Sequence, residues 1–169
     1  MNPNMMNMNQ NMRKIKLLNN NLVDISDCFD YNMKAEKFFG ENAMYCNNCK
    51  MQMNATFQTL LFYAPEILII ILNRGVGIQF KVKLQFYESL DIRAYFEQSV
   101  ITGGLYDLIG VVTHMGESGA SGHFIATCKS PIDNRWYKYN DDLVFLVKDF
   151  QGEILNYAMP YILFYQKRN

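Results

Sequence analysis

The chain has 169 residues, half of them hydrophobic and 14% aromatic, which is enough for one domain with a substantial core. Sixteen basic residues balance sixteen acidic ones without a long basic run, which argues against binding to a nucleic-acid backbone. The longest apolar run, residues 67–72, is far shorter than the roughly 20 residues of a membrane helix. The N-terminus also lacks the apolar core of a secretory signal. We therefore expect no nucleic-acid partner, no membrane association and an intracellular location, cytoplasmic, nuclear or both.

The first residues differ in composition from the rest. Residues 1–12 are almost only Met and Asn, without periodicity or aromatic residues. Such a composition is typical of disordered segments. We predict that residues 1–21 are a disordered tail and lead-in, and that residues 22–169 form the folded domain.

One helix is predicted near the start of that domain. Apolar residues recur at helical spacing between positions 24 and 39, at Ile25, Cys28, Phe29, Met33 and Phe38. Asp24 or Ser26 would serve as the N-cap, and Gly40 would end the helix.

Short strand-like runs separated by Gly, Pro and Asn follow this helix. They cover residues 55–63, 67–72, 80–86, 105–115, 124–129, 136–139, 143–147 and 161–165. Residues 67–72 are apolar at every position, which predicts a central strand covered on both faces. Residues 90–96 are predicted as a short helix or irregular turn. Because strands and helices do not alternate, the pattern favours an α+β fold with a mostly antiparallel sheet.

Two cysteines lie on a predicted turn, as Cys46-x-x-Cys49. This spacing is that of half a tetrahedral zinc site. The remaining thiols and imidazoles, none of them in a second such motif, belong to Cys28, Cys128, His114 and His123. The alternative is a turn that carries two free thiols. Four cysteines with this spacing fit a reducing compartment better than a disulfide framework.

The stretch at 116–144 holds the best candidates for chemistry. A glycine- and serine-rich loop leads into His123, and an aromatic strand ends at Asn140 and Asp141. A histidine and an amide or carboxylate on neighbouring strands are typical of a catalytic base and the group that orients it. The alternative is a strand-end histidine bonded to backbone, with Asn140 and Asp141 capping a turn. His114 lies inside an apolar strand and is predicted to be structural.

Several ordered blocks resemble one family. They are DCF (27–29), EKF (36–38), YCNNC (45–49), PEILIIILNR (65–74), LIGVVTHMG (108–116), GHF (122–124), WYKYND (136–141) and YILFY (161–165). Together they closely resemble the C-terminal half of the catalytic domain of ubiquitin-specific proteases, over residues 22–167. The resemblance implies a papain-like cysteine protease fold, consisting of the palm and part of the fingers with the thumb missing.

The resemblance also implies roles for individual residues. His123 would be the general base and acid, Asn140 would orient its ring, and Asp141 would support the pair. The loop beside the channel for the ubiquitin tail would include Gly116, Ser118, Gly119 and Gly122. Residues 75–79 would form a second such loop. Cys46 and Cys49 would hold a structural zinc ion, in a site that is incomplete in this chain, and the chemistry itself would need no cofactor.

The chain departs from the family pattern chiefly in two places. The segment that carries the nucleophilic cysteine is absent, and so is the first zinc knuckle. One hypothesis is a deubiquitinase whose nucleophile comes from a segment outside this chain, with ubiquitin or ubiquitinated proteins and a thumb-bearing segment or chain as partners. A second is a catalytically inactive ubiquitin-binding or scaffold half-domain, and a third is a fragment without independent function. We expect the 169 residues alone to be inactive. If they proved active, Cys128 would be the first residue to test as the nucleophile.

Overall fold

The structure, a computed structural model, describes residues 22–74, 82–97, 103–118, 121–155 and 159–168. The predicted tail at 1–21 and the predicted loop at 75–79 lie outside these residues.

Thirteen strands are present in the described residues. They are β1 (Leu22–Asp24), β2 (Glu36–Phe38), β3 (Met44–Cys46), β4 (Met51–Met53), β5 (Ala55–Phe57), β6 (Ile67–Ile71), β7 (Lys83–Gln85), β8 (Ser89–Asp91), β9 (Leu105–Ser118), β10 (Ser121–Lys129), β11 (Trp136–Asn140), β12 (Leu143–Leu146) and β13 (Pro160–Lys167). One α-helix, two 3-10 turns and one π turn accompany them, namely α1 (Ile25–Asn32), Gly40–Asn42, Arg93–Tyr95 and Gln151–Leu155. None of these helices is long and apolar enough to cross a membrane, as far as the described residues go.

Seven of the strands form one antiparallel sheet. Its order is β12-β11-β10-β9-β13-β6, and β8 pairs with the beginning of β9. The other strands form three separate pairs: β1 with β7 in parallel, and β2 with β5 and β3 with β4 in antiparallel. The mostly antiparallel sheet agrees with the sequence prediction.

Helix α1 is shorter than predicted. Asp24 is its N-cap, because the carboxylate accepts the Ser26 N–H at 2.9 Å while Asp27 accepts the Asp24 N–H at 3.1 Å. The prediction that the helix reaches residue 39 was wrong. The helix ends at Asn32, since residues 36–38 pair with β5 and therefore need an extended backbone.

The hydrophobic core lies between one face of the main sheet and α1 with the neighbouring turns. Leu163 and Val111 are neighbours on this face, 0% and 1% exposed. Two fully buried tyrosines join the core to loop backbone. The hydroxyl of Tyr106 donates to Pro65 O at 2.9 Å and that of Tyr165 donates to Tyr87 O at 2.8 Å.

The opposite face of the sheet is apolar and open. Pairing across the strands lines up one row of residues on this face, Ile71, Ile162, Val112, Ala126, Tyr139 and Val144. Ile69 and Ile71 of β6 are 53% and 69% exposed, and Phe124 of β10 is 53% exposed. The prediction that 67–72 is a central strand covered on both faces was wrong. Within the described residues β6 is an edge strand that pairs with β13 alone.

Two other predicted segments also differ. The run 55–63 is a strand only at Ala55–Phe57, and residues 80–86 contribute Lys83–Gln85. Most of the glycine loop predicted at 116–122 is strand instead, because β9 continues to Ser118 and the Cα of Ser118 pairs with that of Ser121 on β10. Residues 119 and 120 lie outside the described residues. The candidate site is therefore built on paired backbone.

Candidate active site

His123 is the third residue of β10, beside the hairpin that joins β9 to β10. Its Cα pairs with that of Met115 on β9, just after a register shift between Ser121 and His123. The side chain is 44% exposed. The paired strands thus fix the backbone of His123, while its ring remains accessible.

Asn140 is the last residue of β11. Ala126 of β10 pairs with Tyr139 of β11, so in this antiparallel pair Asn140 is opposite Ile125. His123 is two residues from Ile125 on β10, and its side chain therefore lies on the same face of the sheet. His123 Nε2 lies 2.5 Å from Asn140 Oδ1. Since an amide oxygen can only accept, the ring donates its Nε2–H in this bond. Strand register therefore brings together the two residues that the sequence singled out.

Asp141 opens the two-residue turn between β11 and β12 and has a φ of 52°. Its Oδ2 lies 3.8 Å from His123 Nε2, and its side chain is 77% exposed. Water screens a carboxylate at such a position, so the attraction to a protonated ring is weak. Asp141 adds a modest negative field, whereas Asn140 sets the orientation of the ring.

The hydrogen bond to Asn140 determines which ring nitrogen is available for proton transfer. A neutral imidazole has one protonated nitrogen and one lone-pair nitrogen. Since Nε2 carries the proton that is donated to Asn140, the lone pair is on Nδ1. The site can therefore accept a proton at Nδ1 of His123 from a donor on its open side.

Three of the four predicted substrate-binding residues lie on the paired strands β9 and β10. Gly116 and Ser118 belong to β9, and Gly122 belongs to β10 next to His123. Gly119 lies outside the described residues. Gly122 is exposed, so its backbone is accessible beside the catalytic candidate.

Sequence reasoning missed the second role of these glycines, which is to make room for His114. The ring of His114 is 5% exposed and contacts Phe124 edge to face, with ring centroids 4.8 Å apart. A Cβ at Gly116 would lie 2.9 Å from His114 Cε1, and one at Gly122 would overlap the same ring. The prediction that His114 is structural agrees with this burial. One glycine two residues after an apolar-strand histidine, and a second on the facing strand of the hairpin, were the signal in the sequence.

Cys28 and Cys128 are the thiols in the main body of the described structure. Burial raises the pKa of both, and nearby Asp27 raises that of Cys28 further. Cys128 is five residues from His123 on β10, so it lies about 16 Å away along the strand and on the opposite face. These thiols favour the protonated form, and Cys128 is out of reach of His123.

Cys46 and Cys49 lie on the separate β3–β4 hairpin. The Cys49 N–H donates to Cys46 Sγ at 3.4 Å, the arrangement of a metal-binding knuckle. In the described part of the chain, no group of three or more His, Cys, Asp or Glu side chains is placed to hold a metal ion. Cys46 and Cys49 would provide only two of the four ligands that a structural zinc ion needs, and their role as ligands stays a prediction.

Comparison with known proteins identifies the family. A family model described as ubiquitin carboxyl-terminal hydrolase matches residues 6–165. The chain belongs to the ubiquitin carboxyl-terminal hydrolase family. The resemblance to ubiquitin-specific proteases that the sequence blocks indicated is therefore confirmed.

Curated relatives of this hydrolase family support the same conclusion. Ubiquitin carboxyl-terminal hydrolase 48 of Rattus norvegicus is 35% identical over 127 residues, which cover 70% of this chain and 12% of that protein. Ubiquitin carboxyl-terminal hydrolase 17-like protein B of Mus musculus is 33% identical over 141 residues, which cover 80% of this chain and 29% of that protein. The chain thus spans less than a third of the length of these two relatives.

Solved structures of the SAGA Ubp8/Sgf11/Sus1/Sgf73 DUB module share the fold. The structure bound to ubiquitin aldehyde matches with a TM-score of 0.69 and 25% identity, covering 88% of this chain and 35% of that chain. The structure bound to monoubiquitin matches with a TM-score of 0.68 and 27% identity over the same shares. The predicted α+β, papain-like partial domain is confirmed.

Proposed function

We propose that this chain forms one wall of the active site of a thiol-dependent deubiquitinase. The reaction is hydrolysis of the isopeptide bond at the C-terminal glycine of ubiquitin. The observation that carries the proposal is the 2.5 Å hydrogen bond from His123 Nε2 to Asn140 Oδ1. It holds the ring of His123 in one tautomer, with Nδ1 open for proton transfer.

In the proposed reaction, Nδ1 of His123 takes the proton of a cysteine thiol. The resulting thiolate attacks the carbonyl carbon of the terminal glycine, and the protonated His123 then gives this proton to the departing lysine amine. A water molecule hydrolyses the thioester in the second half, again with His123 as base. Asn140 keeps the ring in place throughout, and Asp141 weakly stabilises its charged form. These steps need no cofactor.

The nucleophilic cysteine is proposed to come from a thumb-bearing segment or chain outside these 169 residues. The open apolar face of the main sheet supports such a partner. Because His123 and Ile125 lie on the other face, a segment docked here would also have to pass around the β9–β10 hairpin to present its thiol to His123. The exposed side chains of the open face include Ile69, Ile71 and Phe124, whose burial would contribute roughly 25 cal/mol per Å² of apolar surface. A completing segment would also supply the thiol that Cys128 is too distant to provide.

Ubiquitin or a ubiquitinated protein is the proposed substrate, since two of the similar solved structures are bound to ubiquitin or its aldehyde. Its extended C-terminal tail would lie along the β9–β10 hairpin, beside Gly116, Ser118, Gly119 and Gly122. The exposed backbone at Gly122, next to His123, supports this placement. The free state of all four cysteines supports an intracellular location, cytoplasmic or nuclear.

A second candidate function is a catalytically inactive module that holds ubiquitin or serves as a scaffold. The placement of the thiols favours it, because burial raises the pKa of Cys28 and Cys128, and Cys128 lies far from His123. The two functions differ in one respect. Only the enzyme needs the ring of His123 to exchange a proton.

The test is complementation. The N-terminal remainder of the catalytic domain of a relative, such as hydrolase 48 of Rattus norvegicus, is mixed with this chain and with a thiol-reactive ubiquitin probe. We expect no labelling or turnover by either chain alone, and labelling of the relative's cysteine by the mixture but not with His123→Ala. If this chain binds ubiquitin but the mixture shows no labelling by the probe, the catalytically inactive module is favoured. Turnover by this chain alone would contradict the proposal that the nucleophilic cysteine lies outside these 169 residues.

A further inference from the structure

Leu143 is the residue of β12 that lies beside the pair formed by His123 and Asn140. It pairs directly with Asn140 across the two-residue turn between β11 and β12. Side chains of directly paired residues lie on the same face of a sheet, with their Cβ atoms about 5 Å apart. The side chain of Leu143 therefore lies on the face that carries His123, next to the amide that orients the histidine ring.

Farther along β11, the side chains on this face have partners within the chain. Trp136 stacks on Phe150 with ring centroids 4.1 Å apart, and the Nζ of Lys138 lies 3.0 Å from Glu153 Oε2. Leu143 differs from them, because its side chain is 52% exposed. Among the described residues it belongs neither to the core nor to the half-buried side chains packed against the core. An apolar side chain thus remains accessible beside the candidate active site.

The proposed position of the ubiquitin tail determines which part of the substrate comes near Leu143. The tail is placed beside Gly116 and Gly122 on the β9–β10 side of His123. The amine leaves the carbonyl carbon on the side opposite the tail, and therefore toward β11 and β12. Leu143 is two strands from His123, or roughly 10 Å across the sheet. A leucine side chain and the four-carbon stem of a lysine can span this distance together.

The chemistry of lysine suits such a contact. A lysine side chain lays its methylene groups along apolar surface while its polar end stays near polar groups. In the substrate this end is the nitrogen of the scissile bond, which must lie close to His123 to receive a proton. With the nitrogen at His123, the methylene groups lie toward Leu143.

We infer that Leu143 is a specificity-determining residue, which packs against the methylene stem of the substrate lysine and so selects a lysine side chain as the leaving group. The inference rests on the proposed function and names one residue that recognises the leaving group. Leu143 touches none of the reacting atoms, so it is not a catalytic residue. Its contact with a remote part of the substrate helps to position the scissile bond.

The experiment uses the mixture of this chain with the N-terminal remainder of a relative's catalytic domain. One substrate is ubiquitin joined by an isopeptide bond to the lysine of a short peptide. The other is ubiquitin with a methylamide on its terminal glycine, which has an amide bond but no stem. We expect Leu143→Ala to lower kcat/KM for the lysine substrate about tenfold, because the half-exposed contact loses three carbons. Hydrolysis of the methylamide and labelling by the thiol-reactive ubiquitin probe should change by less than about twofold.

Two control variants separate this contact from an effect on folding. Leu143→Met keeps an apolar side chain of similar volume and should retain the preference for the lysine substrate. Ile132→Ala removes an aliphatic side chain that is 94% exposed in the turn between β10 and β11, and it should affect neither substrate. Denaturant unfolding of each variant checks that it is folded.

The probe distinguishes failure of this inference from failure of the proposed function. If Leu143→Ala lowers hydrolysis of both substrates equally, or leaves the lysine substrate unaffected, while the probe labels the mixture normally, the role of Leu143 is refuted alone. If the mixture with the unmodified chain does not react with the probe, the proposed function is refuted, and this inference with it.

Discussion

Gly122 lies so close to the buried ring of His114 that a Cβ at position 122 would overlap Cε1 and Nε2 of the imidazole. Gly116 approaches the same ring from β9, where a Cβ would also come within 2.6 Å of Ser121 O. These contacts lie in the hairpin that presents His123. The position of His123 therefore depends on two residues that have no side chain.

We predict that Gly122→Ala destabilises the chain. The added methyl group must displace the ring of His114 or the hairpin backbone, and overpacking of this kind costs about 2 kcal/mol. Denaturant unfolding of the 169-residue chain measures the loss. The same substitution should also reduce probe labelling in the complementation mixture, since Gly122 is next to His123.

Gly40→Ala is the matched control. Gly122 has a φ of 157° and Gly40 one of 59°, but a Cβ at Gly40 meets nothing within 4 Å. It should cost about 1 kcal/mol from backbone strain alone, without changing the labelling rate. Equal losses for the two substitutions would mean that contact with His114 is not the cause.

The sequence was informative where residues suited to catalysis stand at the ends of segments with a clear strand pattern. His123 and Asn140 were selected because a base and an amide stood at the ends of two strand-like runs, and the register of β10 with β11 brings them together. The N-cap at Asp24 was predictable for a similar reason, because capping depends on residues within one turn.

Features set by distant partners were not predictable in this way. Helical spacing continues to Phe38, but pairing with β5 makes residues 36–38 a strand. The run of isoleucines in β6 suggested burial on both faces, yet Ile69 and Ile71 are exposed. Hydrophobicity indicates a surface that is suited to burial, and it does not say whether the covering part belongs to the same chain.

A second prediction concerns Tyr95, which joins a 3-10 turn to α1. Its hydroxyl donates to Asp30 Oδ1 at 2.7 Å, and its ring stacks on Phe29 at 5.1 Å. Burial, with the Asp30 bond second, raises the pKa of Tyr95 from 10.0 to about 12. Because the folded chain holds the Tyr95 proton more tightly than the unfolded chain does, the protonated hydroxyl stabilises the fold. This stabilisation is fully present below pH 10 and is lost as the pH rises to 12.

We therefore expect Tyr95→Phe to lower the free energy of unfolding by about 1 kcal/mol near neutral pH. The difference from the unmodified chain should shrink between pH 10 and 12. Unfolding titrations at a series of pH values measure both effects. Tyr63→Phe is the control, because Tyr63 is 71% exposed, and it should change neither quantity. A constant difference up to pH 12 would contradict the assignment.

A third prediction tests the open face of the sheet. Ile71 is 69% exposed, so Ile71→Lys should change the free energy of unfolding by less than about 0.5 kcal/mol. A charge on this face should nevertheless prevent a completing segment from packing there, and probe labelling in the mixture should fall sharply. Ile132→Lys is the control, since Ile132 is 94% exposed and lies in the turn between β10 and β11. Normal labelling with Ile71→Lys would show that the segment docks elsewhere.

The fourth prediction concerns the hydrogen bond between His123 and Asn140. Asn140→Ala removes the acceptor and frees the ring to rotate, so kcat/KM of the reconstituted mixture should fall about 100-fold. Asn140→Asp keeps an acceptor at the same position and should retain most of the activity. The neighbouring exposed residue supplies the control, because Asp142→Asn alters charge without touching the bond.

The free energy of unfolding shows whether Asn140 positions His123 or only stabilises the fold. Asn140 is half-buried at a strand end, so Asn140→Ala should lower the free energy of unfolding by about 1 kcal/mol, far too little to unfold the chain. If activity falls while the protein stays folded, and if Asn140→Asp restores it, Asn140 acts by orienting His123. If Asn140→Ala and Asn140→Asp lose activity equally, the carbonyl oxygen is not what the ring requires, and the assignment of Asn140 is wrong.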